Sequence, residues 1–289
     1  MEQLRPFTRS QIIDRLRATI AAGEPVVAAG CSSGLIARSA VAGGADLVVV
    51  YNTGRTRLMG LRTTHLLNHA NPTTVAMFPE IQNVVDTVPI IGGAEPQDPA
   101  FMRLSRLVDL FQSTGFDGII NFPTVGPYSA PDRELVRLGH RRDEEMVEHA
   151  RAGDYFTMCY AYTAEQARGQ ASAGADVIVP HAGWTTGGQS GAGQAASSLA
   201  ACCELVQTIL ESARRENPDV IVLAHGGSIS SPADTRVLYE QTDAQGFVGA
   251  SSVERVPIEN AILASVSSLR NMTVKSRTFS PDVMTEVKA

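Results

Sequence analysis

The sequence predicts an α/β protein, a single (β/α)8 TIM barrel with an extra N-terminal helix and a C-terminal arm. Three observations carry this expectation. First, eight short apolar runs without polar alternation recur at 25–29, 46–51, 88–91, 117–121, 155–160, 176–180, 219–224 and 246–250. Runs of that kind suit strands covered on both faces, as in a parallel sheet. Second, helical patterns separate most of them. Third, the turns Gly44-Ala45-Asp46, Gly115-Phe116-Asp117 and Gly174-Ala175-Asp176 each precede a run, with glycine placed to cap the preceding helix. A doubly wound open sheet is the alternative, but no GxGxxG turn follows the first run, and eight repeats favour closure.

Taken in order, residues 11–22 form an amphipathic helix, and the segment 1–24 is expected to close the barrel's N-terminal end. Helices follow over 33–43, 99–114, 131–152, 164–173, 197–216, 232–241 and 257–269, and an insertion at 52–87 holds at least one more near 74–85. Pro99, Pro131, Pro232 and Pro257 stand where first helical turns tolerate proline. Residues 271–289 read as a polar arm. No linker or low-complexity stretch divides the 289 residues, so one domain is expected, against about 250 residues for an ordinary barrel.

The chain is 44% hydrophobic and 19% charged, with 24 basic residues against 30 acidic ones. That balance, with no basic run, argues against nucleic acid or a membrane surface as partner. Four cysteines, Cys31, Cys159, Cys202 and Cys203, show no CxxC pair, which favours a reducing compartment and a cytoplasmic location. No apolar run approaches the roughly 20 residues needed to span a bilayer. A barrel of this size is also expected to self-associate as a homo-oligomer.

Barrel active sites gather at the C-terminal strand ends. Those ends are rich here in glycine, hydroxyls and histidine. His181 and His225 are the first acid/base candidates. After His181 comes a glycine-rich stretch with Gly183, Gly187, Gly188, Gly191 and Gly193, together with Trp184, the one tryptophan. Such a loop suits closure over a ligand. Glu95 and Glu254 are the carboxylates of these ends, able to assist a histidine. Tyr51 and Asn121 are placed to steady an oxyanion. Asn52 and Arg55 are substrate-binding candidates, Arg55 as a carboxylate clamp. The turns Gly226-Gly227-Ser228 and Gly249-Ala250-Ser251-Ser252 end the last two runs. If those strands are neighbours, His225, Gly226, Gly227, Ser228, Gly249, Ser251 and Ser252 converge on one anion. Cys31 lacks any neighbouring signal of thiolate activation. No HxH or HExxH spacing marks a metal site, so no metal ligands are assigned and no cofactor is required, with a divalent metal left open.

The strings GGADLVVVYNTGR, GFDGIINFPTVG, AGADVIVPHAGWTTGG, NPDVIVLAHGGSI and GFVGASSVERVPIE closely resemble the phosphoenolpyruvate hydrolase-like family. Its members are also described as TIM-barrel signal-transduction proteins and phosphonopyruvate hydrolases. The resemblance runs from about residue 9 to about residue 270. It implies that the blocks around Tyr51, Asn121, His181, His225 and Ser251 line a site. It also implies kinship with enzymes whose early strand ends carry an acidic Mg2+ cluster. Here those ends read Tyr51-Asn52, Gly92-Gly93 and Asn121-Phe122.

Two functions follow as expectations. One is a hydrolase or lyase cleaving a C–C, C–P or ester bond in a small anionic oxo compound, of phosphoenolpyruvate, phosphonopyruvate or 1,3-dicarbonyl type. The other is a non-catalytic metabolite sensor.

Overall fold

A computed structural model describes residues 7–62, 64, 69–129, 131–132, 139, 141–191 and 197–275. Parts of the expected helix over 131–152, Gly193 of the glycine-rich stretch, the first six residues and most of the C-terminal arm lie outside them. Eight parallel strands form one sheet: β1 (Val26–Gly30), β2 (Leu47–Val50), β3 (Ile90–Ala94), β4 (Gly118–Asn121), β5 (Phe156–Ala161), β6 (Val177–Pro180), β7 (Ile221–Val222) and β8 (Gly246–Gly249). Their spatial order is β7-β6-β5-β4-β3-β2-β1-β8. The ring closes between β7 and β8 through a parallel bridge from Ala224 to Phe247, with Ala224 N–H donating to Gly246 O at 3.0 Å and Val248 N–H to Ala224 O at 2.8 Å. The expected barrel is present, and its last two strands are neighbours.

Alternation explains why each strand is apolar throughout. Leu47, Val49 and Tyr51 point into the barrel with Val26, Ile91, Ile120 and Val248. Val48 and Val50, between them, meet the helix layer with Phe78, Leu107 and Phe111. Both faces are therefore removed from water.

The helices among the described residues are α1 (Arg9–Ala21), α2 (Gly34–Ala42), α3 (Asn52–Leu58), α4 (Ala70–Gln82), α5 (Leu104–Thr114), α6 (Arg141–Ala152), α7 (Ala164–Ser172), α8 (Leu199–Glu216), α9 (Pro232–Gln241) and α10 (Val256–Arg270). Pro232 and Pro257 occupy first turns as predicted. Pro99 does not, because α5 begins five residues later at Leu104. The insertion at 52–87 holds a second helix, α3, besides the one expected near 74–85.

α1 fulfils the expected closing role. Ile12 and Leu16 are fully buried against the barrel interior, and Arg9 holds Asp176 through Nη2 at 2.6 Å. The Gly-X-Asp turns have a second use at this end. Asp46, Asp117 and Asp176 accept backbone N–H groups from the first two residues of odd strands, from Val27, Ile90 and Thr157 at 2.7–3.0 Å. Gln245 accepts from Val222 of β7 in the same manner. Each αβ turn thereby satisfies a strand-start donor that would otherwise be orphaned.

Candidate active site

The strand ends bring a chain of rings to the barrel mouth. Tyr51 meets Phe122 with centroids 4.8 Å apart, and Phe122 meets Tyr160 at 5.5 Å. Tyr160 reaches His181 at 5.1 Å and His225 at 5.0 Å. The two imidazoles lie 4.6 Å apart, Tyr162 stacks on His181 at 4.3 Å, and Trp184 stands edge-on to His181 at 6.0 Å. Tyr51, Arg57, Phe122, Tyr160, His181, Trp184, Thr185, His225, Ala250 and Ser251 surround a cavity of about 10 Å³, room for about one water molecule.

The two histidines are neighbours because β6 and β7 are paired, with a parallel bridge from His181 to His225. Their Nδ1 atoms are used in opposite ways. Gly183 N–H donates to His181 Nδ1 at 3.2 Å, so the ring's proton sits on Nε2. His225 Nδ1 lies 2.6 Å from Val248 O. A carbonyl can only accept, so Nδ1 carries the proton there and Nε2 keeps a lone pair. Burial, with the neighbouring His225, holds His181 well below its ordinary pKa. Burial pushes His225 down to about 4, against its bond to Val248 O. Both rings are neutral at neutral pH, one a hydrogen-bond donor at Nε2 and one an acceptor.

Opposite them, Arg57 on α3 forms a buried ion pair with Glu254, with side chains 5% and 1% exposed. Arg57 also donates from Nη1 to Thr53 Oγ1 at 3.2 Å and lies over the Tyr51 ring at 5.6 Å. Among the described residues, the buried polar atoms without a hydrogen-bond partner include Arg57 Nε, Glu254 Oε2, Tyr160 Oη and Tyr162 Oη. Orphaned buried groups are costly, and two of these, on Arg57 and Tyr160, belong to side chains that line the cavity. Burial raises the Tyr51 hydroxyl to about 12. Glu254 is paired with Arg57 rather than with Arg255.

Several expected roles are revised by the geometry. Arg55 is solvent-exposed; because 52–58 is helical, two residues turn it about 200° away from Arg57, and Arg57 is the inward arginine. Asn52 is buried beneath Thr74, whose Oγ1 accepts its N–H at 3.1 Å. Asn121 is spent inside the wall. Its Nδ2 donates to Asp143 Oδ2 at 2.9 Å and Tyr160 O at 3.2 Å, and its Oδ1 accepts from Tyr160 N–H at 2.6 Å. It fixes Tyr160 rather than facing a ligand. Glu95 is half-buried beside Asp98, and burial followed by that neighbour raises it to about 7; it does not line the histidine cavity.

The anion cradle of the last two turns is not assembled. Gly226 and Gly227 adopt φ of +81° and +62°, and both pack on the Ala182–Gly183 backbone. Gly227 N–H donates to Gly183 O at 2.7 Å, and Ser228 Oγ donates to Ser197 O at 2.5 Å. Gly249 makes room for Val253, and Ser252 faces an outer groove with Val27 and Phe247. His225 and Ser251 remain at the cavity. The strands pair as expected, but Gly227 and Ser228 spend these donors on carbonyls of the segment after β6. Cys31 is buried, and burial pushes its thiol up, consistent with the absence of an activation signal.

Residues that sequence reading missed share one property: their partners are distant in the chain. Asp143 accepts from Asn121, Thr124 at 2.6 Å and Gln97 at 3.1 Å, and burial raises it to about 6. Arg57 needs Glu254, 197 positions away. Tyr160 and Tyr162 stand at the end of the fifth run, where the sequence offers no charged or imidazole side chain to mark a site.

A family model for phosphoenolpyruvate hydrolase-like proteins matches residues 11–272. The chain belongs to that family. It is 38% identical over 274 residues to the ToMV susceptible protein tm-1(GCR26) of Solanum lycopersicum, covering 92% of this chain and 36% of that protein. The chain therefore spans about a third of that relative's length. Among solved structures, a phosphonopyruvate hydrolase in complex with oxalate and Mg2+ shares the fold at TM-score 0.56 and 15% identity, over 90% of this chain and 84% of that one. Oxaloacetate acetylhydrolase with its product oxalate does so at TM-score 0.59 and 17% identity, over 98% and 93%. 2,3-Dimethylmalate lyase, a PEP mutase/isocitrate lyase superfamily member, shares the fold at TM-score 0.58 and 14% identity, over 96% of this chain and 92% of that one.

The donors present here do not fit such a metal centre. Among the described residues no group of three His, Cys, Asp or Glu side chains is placed to hold a metal ion. Glu254 spends its charge and Oε1 on Arg57, leaving a single oxygen already neutralised by an arginine, and Asp143 accepts three hydrogen bonds, so this cavity lacks the set of open carboxylates that Mg2+ takes.

Proposed function

We propose that this protein is a hydrolase or lyase that cleaves a bond next to a carbonyl in a small oxo-acid, at the His181/His225 cavity. The observation that carries the reading is the opposed tautomers of two adjacent buried imidazoles. A neutral acceptor beside a neutral donor is what proton transfer during carbonyl addition and enolisation requires. The family and the hydrolases and lyases of the same fold support that reaction class.

In the form favoured for a 1,3-dicarbonyl, His225 Nε2 takes the proton of a water that attacks one carbonyl carbon. The C–C bond then breaks and its electron pair enters the second carbonyl as an enolate. His181 Nε2–H and the Tyr160 hydroxyl hold the oxyanion, and the proton on His225 returns to the enolate carbon. An anionic ligand beside His225 raises its depressed pKa toward a useful basicity. Arg57 and Glu254 fix the opposite wall. No step uses a metal.

The test is turnover of a panel of small oxo-acids, phosphonopyruvate and 1,3-dicarbonyls, with binding followed by Trp184 fluorescence. Turnover lost in His181→Ala and His225→Ala with binding retained supports the enzyme. Binding with no turnover by the native protein against the whole panel supports the sensor reading instead.

The same reading includes a homo-oligomer. α10 has no buried residue; Ile262, Leu263, Val266 and Leu269 are 46–65% exposed along it. Between β1, β8 and α9 an apolar groove of about 440 Å³ is lined by Pro25, Val27, Tyr239, Phe247 and Val253. A second copy's α10 supplies the apolar face that this groove accepts, and burying such a face drives association.

A further inference from the structure

The segment over the histidine cavity is held from two sides. On the barrel side, Ala182 N–H donates to His225 O at 2.8 Å and Thr186 N–H to Gly227 O at 3.1 Å. On the other side stand the π-turn Ser251–Arg255 and the first turn of α10. Arg255 donates from Nη2 to Gly187 O at 2.9 Å and from Nη1 to Glu259 Oε2 at 3.0 Å. Gln189 N–H donates to the same Glu259 oxygen at 2.6 Å. The Arg255 side chain is 4% exposed. Gly188, at φ +68°, passes so close that a Cβ would run into both side chains. Trp184 and the buried Thr185, which line the cavity, lie between the barrel-side anchors Ala182 and Thr186, immediately before the Arg255 and Glu259 anchors at Gly187 and Gln189. The residue before Arg255 is Glu254, which holds Arg57 inside that cavity.

We propose that Arg255 and Glu259 are positioning residues that seat residues 182–189, with Trp184, over the two histidines. The proposal rests on reading that cavity as the active site. A space for about one water cannot admit an oxo-acid, so the segment must lift. The charged pair is its detachable anchor, because the barrel-side bonds are made by the strand ends themselves. The π-turn then joins two ion pairs back to back, one forming the site wall and one holding its cover.

Trp184 is the only tryptophan, so its exposure reports the segment directly in the full chain. Acrylamide quenching and amide exchange of residues 184–189 are measured for the native protein, Arg255→Lys, Arg255→Met and Glu259→Gln. Losing a hydrogen bond to a charged group is expected to speed local exchange roughly tenfold. Glu259→Gln and Arg255→Met should both show this with stronger quenching, and Arg255→Lys should fall between them and the native protein. If Arg255→Met does not fold, Glu259→Gln carries the test alone. Unchanged exchange and quenching in folded Glu259→Gln overturns the proposal, as does faster exchange spread evenly over the whole chain. If the segment opens as expected but the native protein turns over no panel compound, the active-site reading fails and the positioning role stands.

Discussion

His181 and His225 end adjacent strands with ring centroids 4.6 Å apart, and one accepts at Nδ1 where the other donates. The asymmetry arises from the two turns that follow. The chain after His181 bends back to offer Gly183 N–H, whereas His225 faces the carbonyl of Val248 on β8. Replacing either ring by alanine is expected to lower turnover by about 10²–10⁴-fold. Equal loss of ligand binding, read by Trp184 fluorescence, would show that the rings only shape the cavity.

The depressed pKa of His225 fixes the sign of a pH effect. Its folded value of about 4 lies below the ordinary 6.5, so the unfolded chain binds more protons between those values. Stability from the neutral ring is full above about 6.5 and is lost as pH falls toward 4. Urea denaturation from pH 7 to 4 should show the native protein losing more stability than His225→Asn. Parallel curves for the two proteins would contradict a buried neutral imidazole.

Arg57 and Glu254 form a pair whose halves cannot be removed singly without leaving a buried charge. Arg57→Met or Glu254→Leu is expected to cost ~3–5 kcal/mol, and the double replacement less than their sum. A double-mutant cycle by chemical denaturation checks this. Additive losses would mean that the two side chains do not interact.

Gly227 sits at φ +62° with its added Cβ only 2.6 Å from Ala182 O. Gly227→Ala is expected to destabilise by at least ~1–3 kcal/mol and to displace the turn after His181. Thermal melting and Trp184 emission should change together. An unaltered emission spectrum would separate the two turns.

The donor set predicts indifference to chelation. Dialysis against EDTA should leave the melting temperature and any panel turnover unchanged, and added Mg2+ should not raise either. Recovery of activity by Mg2+ after its loss in EDTA would place a metal among residues that this geometry commits elsewhere.

The exposed apolar face of α10 predicts a concentration-dependent assembly. Val266→Glu with Leu269→Glu, and separately Val27→Glu in the groove, should each shift the mass in solution toward the monomer. A native protein that sediments as a monomer at high concentration removes the oligomer.

Much of the fold was legible because it depends on local chemistry. Apolar runs such as 46–51 specify strands, and Gly44, Gly115 and Gly174, all at positive φ, end helices where the Gly-X-Asp turns placed them. The third strand begins two residues later and ends three residues later than the run at 88–91. Gly92 and Gly93 look like a loop in sequence, yet they lie within β3 because Phe111 and Tyr51 take the space their side chains would fill. Arg55 was preferred to Arg57 for a similar reason, since a polar Asn-Thr-Gly stretch gave no sign that it was helical.

The sequence by itself determined the barrel, the strand ends that carry both histidines and the absence of an acidic cluster at the early ends, because strand period and turn residues act over a few positions. Only the tertiary structure decided which donors stay available. Gly227, Ser228 and Asn121 satisfy backbone groups brought close by the closing of the ring, while Arg57, Tyr160 and Tyr162 keep buried polar atoms unspent. A hydrogen-bonding group's partner is set by distance in space, and that distance is not written in the order of the residues.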